Sequence, residues 1–328
     1  MLEFAQFGAG RIGDIHASNL AASNDARLRY IVDVNAAAAR KIAAATGARV
    51  VDERTALGDP RVGAVLITSS TDTHACLAMA AARAGKAIFC EKPIDLSLAK
   101  VDACLRVVKR AHVPMLVGFN RRFDPNFREL KSRIERGAIG KVELVQITSR
   151  DPGLPPLGYL KVAGGLFRDM TIHDFDMARW LLGEEPVEVF ARGAVLVDPV
   201  VKRVGDVDTA AVTLRTASGK IAVITNSRRA SYGYDQRIEV HGSMGCLSAG
   251  NRTENTVQQA DGRGVAGAKP LHFFLERYAD AYRAELAAFV QALRNRKKMP
   301  VGPEDGRQAL VLAEAALKSM KSGRAVRV

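Results

Sequence analysis

The sequence predicts an α/β protein in two parts: a doubly wound parallel sheet, then an α/β domain with an open, mainly antiparallel sheet. Three observations lead there. Up to about residue 120, short apolar runs alternate with helical patterns, as in a parallel sheet covered on both faces. A glycine-rich turn follows the first apolar run and opens the first helix. Beyond it the strands lengthen and follow one another without helices, with Ala217-Ser218-Gly219 reading as a hairpin turn. A length of 328 residues suits two domains, placed at 1–120 and 121–328.

Taken in order, Glu3–Phe7 is the first strand and Gly10–Ala22 the first helix. Leu28–Val34 is the second strand. Ala36–Thr46 is a strong helix former closed by Gly47. Short strands are expected at Arg49–Val51 and Ala64–Thr68, then a helix from Thr73 to Ala84 ending at Gly85. The fifth strand, Ala87–Cys90, and the sixth, Met115–Phe119, flank a helix over Ser97–Ala111. The second part opens with a helix over Asn126–Arg136 and a strand over Val142–Ser149. A helix over Asp169–Leu182 precedes strands at Val187–Val197, Thr209–Thr216, Lys220–Ser227 and Gln236–His241. Val257–Pro270, rich in Gly and polar residues, is expected as a mobile loop. Helices over Glu276–Asn295 and Glu304–Ser322 close the chain.

Composition excludes several classes. The net charge is +13, but the basic residues are spread along the chain, and only 6% of residues are aromatic. No nucleic-acid partner is expected from that pattern. No apolar run is long enough to cross a bilayer, so no membrane partner is expected. The first residues lack a signal-peptide pattern, and the four cysteines show no disulfide spacing. A cytoplasmic protein with reduced thiols is expected. The six histidines form no metal-binding pair, and no metal is expected.

Gly8, Gly10 and Gly13 form GxGxxG between strand and helix, with Arg11 and Ile12 inside the turn. Glycine there permits a tight turn and close approach of a pyrophosphate, which meets the helix N-terminus. Asp33 lies twenty residues past Gly13 at the end of the second strand, where an acid bonds ribose hydroxyls. Its charge repels a 2′-phosphate, so the expected cofactor is NAD. The spacing is that of a Rossmann domain. Ser69, Thr71 and His74 end the fourth strand and are candidate cofactor contacts; Asp72 or Thr73 is the expected cap of the next helix.

Glu91-Lys92-Pro93 ends the fifth strand. Proline restrains the backbone carrying Lys92, whose ammonium can stabilise charge on a substrate oxygen. Asp169 and His173 are four apart and Asp176 seven from Asp169, so one helix can present all three on one face. Histidine beside a carboxylate suits proton transfer near neutral pH.

These residues resemble the Gfo/Idh/MocA oxidoreductases, and among them the inositol 2-dehydrogenases. The resemblance is carried by Gly8–Gly13, Glu91-Lys92-Pro93, Val117–Asp124, Gly164–Asp176 and Gly302–Arg307. It implies an NAD-dependent dehydrogenase acting on the CH–OH group of a cyclitol or sugar, with Lys92, Asp169 and His173 catalytic. Glu91 joins the cofactor contacts, and Arg121, Asp176 and Tyr234 hold the ring hydroxyls, with Tyr232 an alternative to Tyr234. It also implies a homo-oligomer, often a tetramer. Other polyol or sugar dehydrogenases and a non-catalytic NAD-binding regulator are the competing expectations.

Overall fold

The first part of the computed structural model, which describes residues 1–328, is a six-stranded parallel sheet. Its elements are β1 (Leu2–Phe7), α1 (Arg11–Ala21), β2 (Ala26–Val32), α2 (Ala36–Thr46), β3 (Arg49–Val50), α3 (Glu53–Gly58), β4 (Val62–Ile67), α4 (Thr71–Arg83), β5 (Ala87–Glu91), α5 (Leu98–Ala111) and β6 (Met115–Gly118). The strand order is β3-β2-β1-β4-β5-β6. β1 pairs with β2 on one side and β4 on the other, so the order reverses beside β1. Ligands of such sheets bind outside the strand C-termini at that point. Ala64–Ile67 and Ala87–Cys90 are buried throughout, as expected of parallel strands covered on both faces. Asn35 caps α2 through Ala37 and Ala38, and Gly47 ends it with a left-handed φ of 73°. α3 was not foreseen; Asp52 caps it through the Thr55 N–H at 2.7 Å.

The remaining elements are α6 (Pro125–Glu135), β7 (Val142–Arg150), α7 (Leu157–Leu160), α8 (Leu166–Asp169), α9 (Thr171–Leu182), β8 (Pro186–Ala194), β9 (Thr209–Thr216), β10 (Ile221–Ser227), β11 (Asp235–Gly242), β12 (Gly245–Ala249), β13 (Gln258–Asp261), β14 (Gly264–Gly267), α10 (Phe274–Arg277), α11 (Ala279–Arg294), α12 (Pro303–Ser322) and β15 (Val326–Arg327). Seven strands form one sheet, β12-β11-β7-β10-β9-β8-β15. Only β7 and β10 pair in parallel. β9 alternates buried and exposed residues, the signature of a sheet covered on one face. The segment expected as a mobile loop contains the β13–β14 hairpin.

Two compact units result. One comprises residues 1–123 and 281–310, the other 124–280 and 311–328. Most of α11 therefore packs with the parallel sheet, although its sequence position suggests the second domain. Phe289 explains this: it is fully buried, with ring centroids 6.0 Å from Phe4 and 5.7 Å from Phe89. Val117 also donates its N–H to the Val301 carbonyl at 3.3 Å.

Asp208 anchors the second unit. Fully buried, it accepts N–H bonds from Leu196, Val197 and Asp198 at 2.8–3.1 Å and the Thr209 hydroxyl at 2.9 Å. Burial alone would raise its pKa, but these donors outweigh it and hold the carboxyl below its ordinary value. A depressed folded pKa stabilises above the unfolded value, near 4, and that gain is lost as pH falls through the folded value. Asp208→Asn should cost about 1–3 kcal/mol. The Tm difference from wild type should be full at neutral pH and shrink in acid; a difference independent of pH would contradict this assignment.

Candidate active site

The glycine-rich turn is shaped by two close approaches. Gly8 has φ of +107°, and a Cβ there would fall 2.4 Å from the Ser69 nitrogen at the end of β4. At Gly13 a Cβ would fall 2.3 Å from the Gly8 carbonyl. Nothing lies within 4 Å of a Cβ on Gly10, so the turn leaves open space above itself. α1 begins at Arg11 and no side chain caps it, so its backbone dipole faces that space. Asp33, one residue past β2, accepts the Ala9 N–H at 2.5 Å and the Asn35 N–H at 2.6 Å. These residues fit a dinucleotide: an acid beside the turn for the ribose, and a bare helix terminus for the pyrophosphate.

At the end of β4, Ser69 and Thr73 hydroxyls lie 2.6 Å apart. Thr71 opens α4, whose N-cap is Ser70 rather than Asp72 or Thr73. Thr73 instead donates to the Ser70 carbonyl at 2.7 Å. His74 differs from its expected role as a cofactor contact. It is 2% exposed, and its ring nitrogens face the carbonyls of Pro93 at 2.8 Å and Ser69 at 3.0 Å. The ring joins two strand ends and leaves no nitrogen for a ligand. Glu91 is buried, and its Oε1 accepts from His16 Nε2 at 2.8 Å. Its neighbour Lys92 is partly exposed. Cys90 beneath it is fully buried, and burial pushes its thiol up, so it packs rather than reacts.

Arg121 lies in a single 3-10 turn, Asn120–Phe123, that follows β6 and is 4% exposed. Arg122 beside it pairs with Asp305 at 2.9 Å. Asp124, last of the Asn-Arg-Arg-Phe-Asp motif, caps α6 through Asn126 and Phe127 and pairs with buried Arg277. That residue is structural.

In the second unit, Asp169 and His173 do not share one helix. α8 ends at Asp169, Met170 interrupts, and α9 starts at Thr171. Gly164 and Gly165, both with positive φ, lead into α8; a Cβ on Gly165 would fall 2.9 Å from Asp206. Thr171 then donates its hydroxyl to the Leu166 carbonyl and to Asn226 at 2.7 Å instead of continuing the first helix. α9 is buried nearly all round; His173 is its one partly exposed titratable side chain.

Asp169 is not a helix cap. Its Oδ1 accepts the Tyr159 hydroxyl at 2.7 Å and its Oδ2 accepts Arg228 Nη2 at 2.9 Å. Arg228 is 2% exposed and also reaches Asp151 at 3.4 Å. Burial disfavours its charge, yet Asp169 and Asp151 hold its pKa raised. Asp151 belongs to the 151–156 loop, which the cluster thus ties to Asp169. Arg228 and Tyr159 were not foreseen; the Arg228-Arg229 pair after β10 was the sole signal for the arginine, and the tyrosine had none.

Of the remaining candidates, Asp176 and Tyr234 are buried. Asp176 is 1% exposed, with Arg179 Nη1 at 3.7 Å. Tyr234 is 5% exposed and set edge-on against Phe273 and Tyr278. Tyr232 is exposed and donates its hydroxyl to Asp235 at 2.6 Å.

Strand order, glycine turn and terminal acid define a dinucleotide-binding α/β protein, and its cofactor is NAD. A family model described as "Oxidoreductase family, NAD-binding Rossmann fold" matches residues 2–119, and one for the C-terminal α/β domain matches 131–328. The chain belongs to the Gfo/Idh/MocA oxidoreductase family and is an NAD-dependent dehydrogenase. It is 51% identical to the inositol 2-dehydrogenase of Rhizobium meliloti over 330 residues, covering 100% of this chain and 99% of that one. The myo-inositol 2-dehydrogenase of Thermotoga maritima is also 51% identical, covering 98% and 97%. A crystal structure of scyllo-inositol dehydrogenase from Lactobacillus casei with NAD(H) and scyllo-inositol superposes with a TM-score of 0.92. It is 30% identical and covers 100% of this chain and 99% of that one.

Proposed function

We propose that this enzyme oxidises myo-inositol at one ring carbon to 2-keto-myo-inositol. The carrying observation is the 51% identity, end to end, with two inositol 2-dehydrogenases. His173 takes the proton from the hydroxyl being oxidised. Lys92 holds that oxygen and stabilises its growing negative charge. Asp169, fixed by Arg228 and Tyr159, orients the polar groups around it. NAD, when bound, accepts the hydride. Arg121, Asp176 and Tyr234 hold ring hydroxyls; a cyclitol presents these all round, so its recognition needs several donors and acceptors. The active form is a cytoplasmic homotetramer; no helix is long and apolar enough to cross a membrane.

A panel of inositol isomers, glucosides and sugar acids with NAD, followed by reduced-nicotinamide absorbance, tests this reading. The highest kcat/KM is expected with myo-inositol. A preference for scyllo-inositol, the ligand of the Lactobacillus casei structure, would reassign the substrate. No turnover of any panel member would favour a binding regulator.

Asp33 should select NAD over NADP by repelling the 2′-phosphate. Asp33→Ser should narrow the ratio of kcat/KM values by about tenfold or more. An unchanged ratio would remove Asp33 from cofactor choice.

A further inference from the structure

His16 on α1, Glu91 at the end of β5 and Glu285 on α11 converge inside the first unit. They are 0%, 8% and 0% exposed. Their nitrogen and carboxylate oxygens lie within 4.8 Å of one another. His16 Nε2 donates to Glu91 Oε1 at 2.8 Å and stands 3.8 Å from Glu285 Oε1. The rings of Phe89 and Tyr282 meet the imidazole edge-on, at 5.0 and 5.7 Å between centroids. Neither carboxyl oxygen of Glu285 has a hydrogen-bond partner. Two carboxylates this close and this dry strongly oppose each other's ionisation.

The same carboxylate of Glu91 also touches β6: a Cβ on Gly118 would fall 3.0 Å from it. Glu91 thus stands against the helix of the glycine turn, against the strand that leads to Arg121, and next to Lys92 in the chain.

We propose that Glu285 holds a proton, that Glu91 is the one charged carboxylate of the cluster, and that Glu91 is a positioning residue fixing the strand end that carries Lys92. Burial first, and then the charge of Glu91, push the Glu285 carboxyl well above the ordinary range. The titratable groups facing it are His16 from α1 and Glu91 from β5, and Tyr282 from its own helix meets the His16 ring. The positioning half rests on the role proposed for Lys92; the proton half does not.

Glu285→Gln keeps shape and neutrality. It should fold and turn over at close to the wild-type rate. Infrared spectra of the holoenzyme at neutral pH should show a protonated-acid carbonyl band that Glu285→Gln lacks. Glu91→Gln removes the charge that His16 addresses. It should lower kcat by about tenfold, within the ~10²-fold that small misplacement can cost, with KM for NAD near wild type and a lower Tm from the weakened bond to His16.

A wild-type spectrum without the band, or a band that persists in Glu285→Gln, overturns the proton. Wild-type kcat in Glu91→Gln overturns the positioning. One divalent metal ion per chain, lost in Glu285→Gln, overturns both by putting a cation where the proton is placed. Normal turnover in Lys92→Met would instead sink the role of the lysine and leave the infrared result standing.

Discussion

Lys92→Met should give a folded protein that still binds NAD but oxidises myo-inositol at least ~10²-fold more slowly, the scale seen when one oxyanion donor is removed. Methionine keeps much of the aliphatic stem and deletes the charge. The lost interaction strengthens as the substrate oxygen gains charge, so the loss belongs in kcat more than in KM. Calorimetric titration with NAD beside steady-state kinetics measures both. Near-normal turnover would take Lys92 out of the reaction. Lost NAD affinity without a separate effect on kcat would make it a cofactor contact.

His173→Ala should slow turnover by about 10²-fold or more, the usual contribution of a positioned general base, with NAD affinity little changed. The residue suits this test because it is partly exposed on a helix whose neighbouring positions are buried, so alanine opens no large core cavity. Wild-type activity should rise with pH as the base gives up its proton. That dependence should flatten in the variant. Turnover near wild type, or an identical pH profile in the two proteins, would show that His173 is structural.

The parallel sheet was legible because its signals are local. Apolar runs, closing glycines and the GxGxxG-to-Asp33 spacing each lie within a few tens of residues, and the strands fall within a residue or two of expectation. Five strands of the second sheet were legible, while the short β12 and β15 were not, and periodicity does not reveal pairing, so the parallel β7–β10 contact could not be read. The site was legible as motifs and less so as geometry. Helical spacing placed Asp169 and His173 on one face, while Thr171 turned its hydroxyl to Asn226 and the helix broke between them. Asp169 is held by Arg228, and Glu91 by His16, residues far away in sequence. His74 and Glu91 sat at strand ends suited to a cofactor, yet both ring nitrogens of His74 face the Ser69 and Pro93 carbonyls and one oxygen of Glu91 bonds His16. Spacing locates a side chain along the chain; partners brought in from elsewhere decide where it points.

The membership of residues 281–310 in the first unit bears on biogenesis. The NAD-binding half is discontinuous, so no single cut in the gene releases it whole. A fragment ending at residue 123 would leave Phe4 and Phe89 without Phe289, an uncovered apolar surface prone to aggregation. On the ribosome the nascent parallel sheet must wait for the intervening unit to be made, on the order of ten seconds or more at ordinary elongation rates. During that interval Phe4 and Phe89 lack the aromatic cover that Phe289 later supplies.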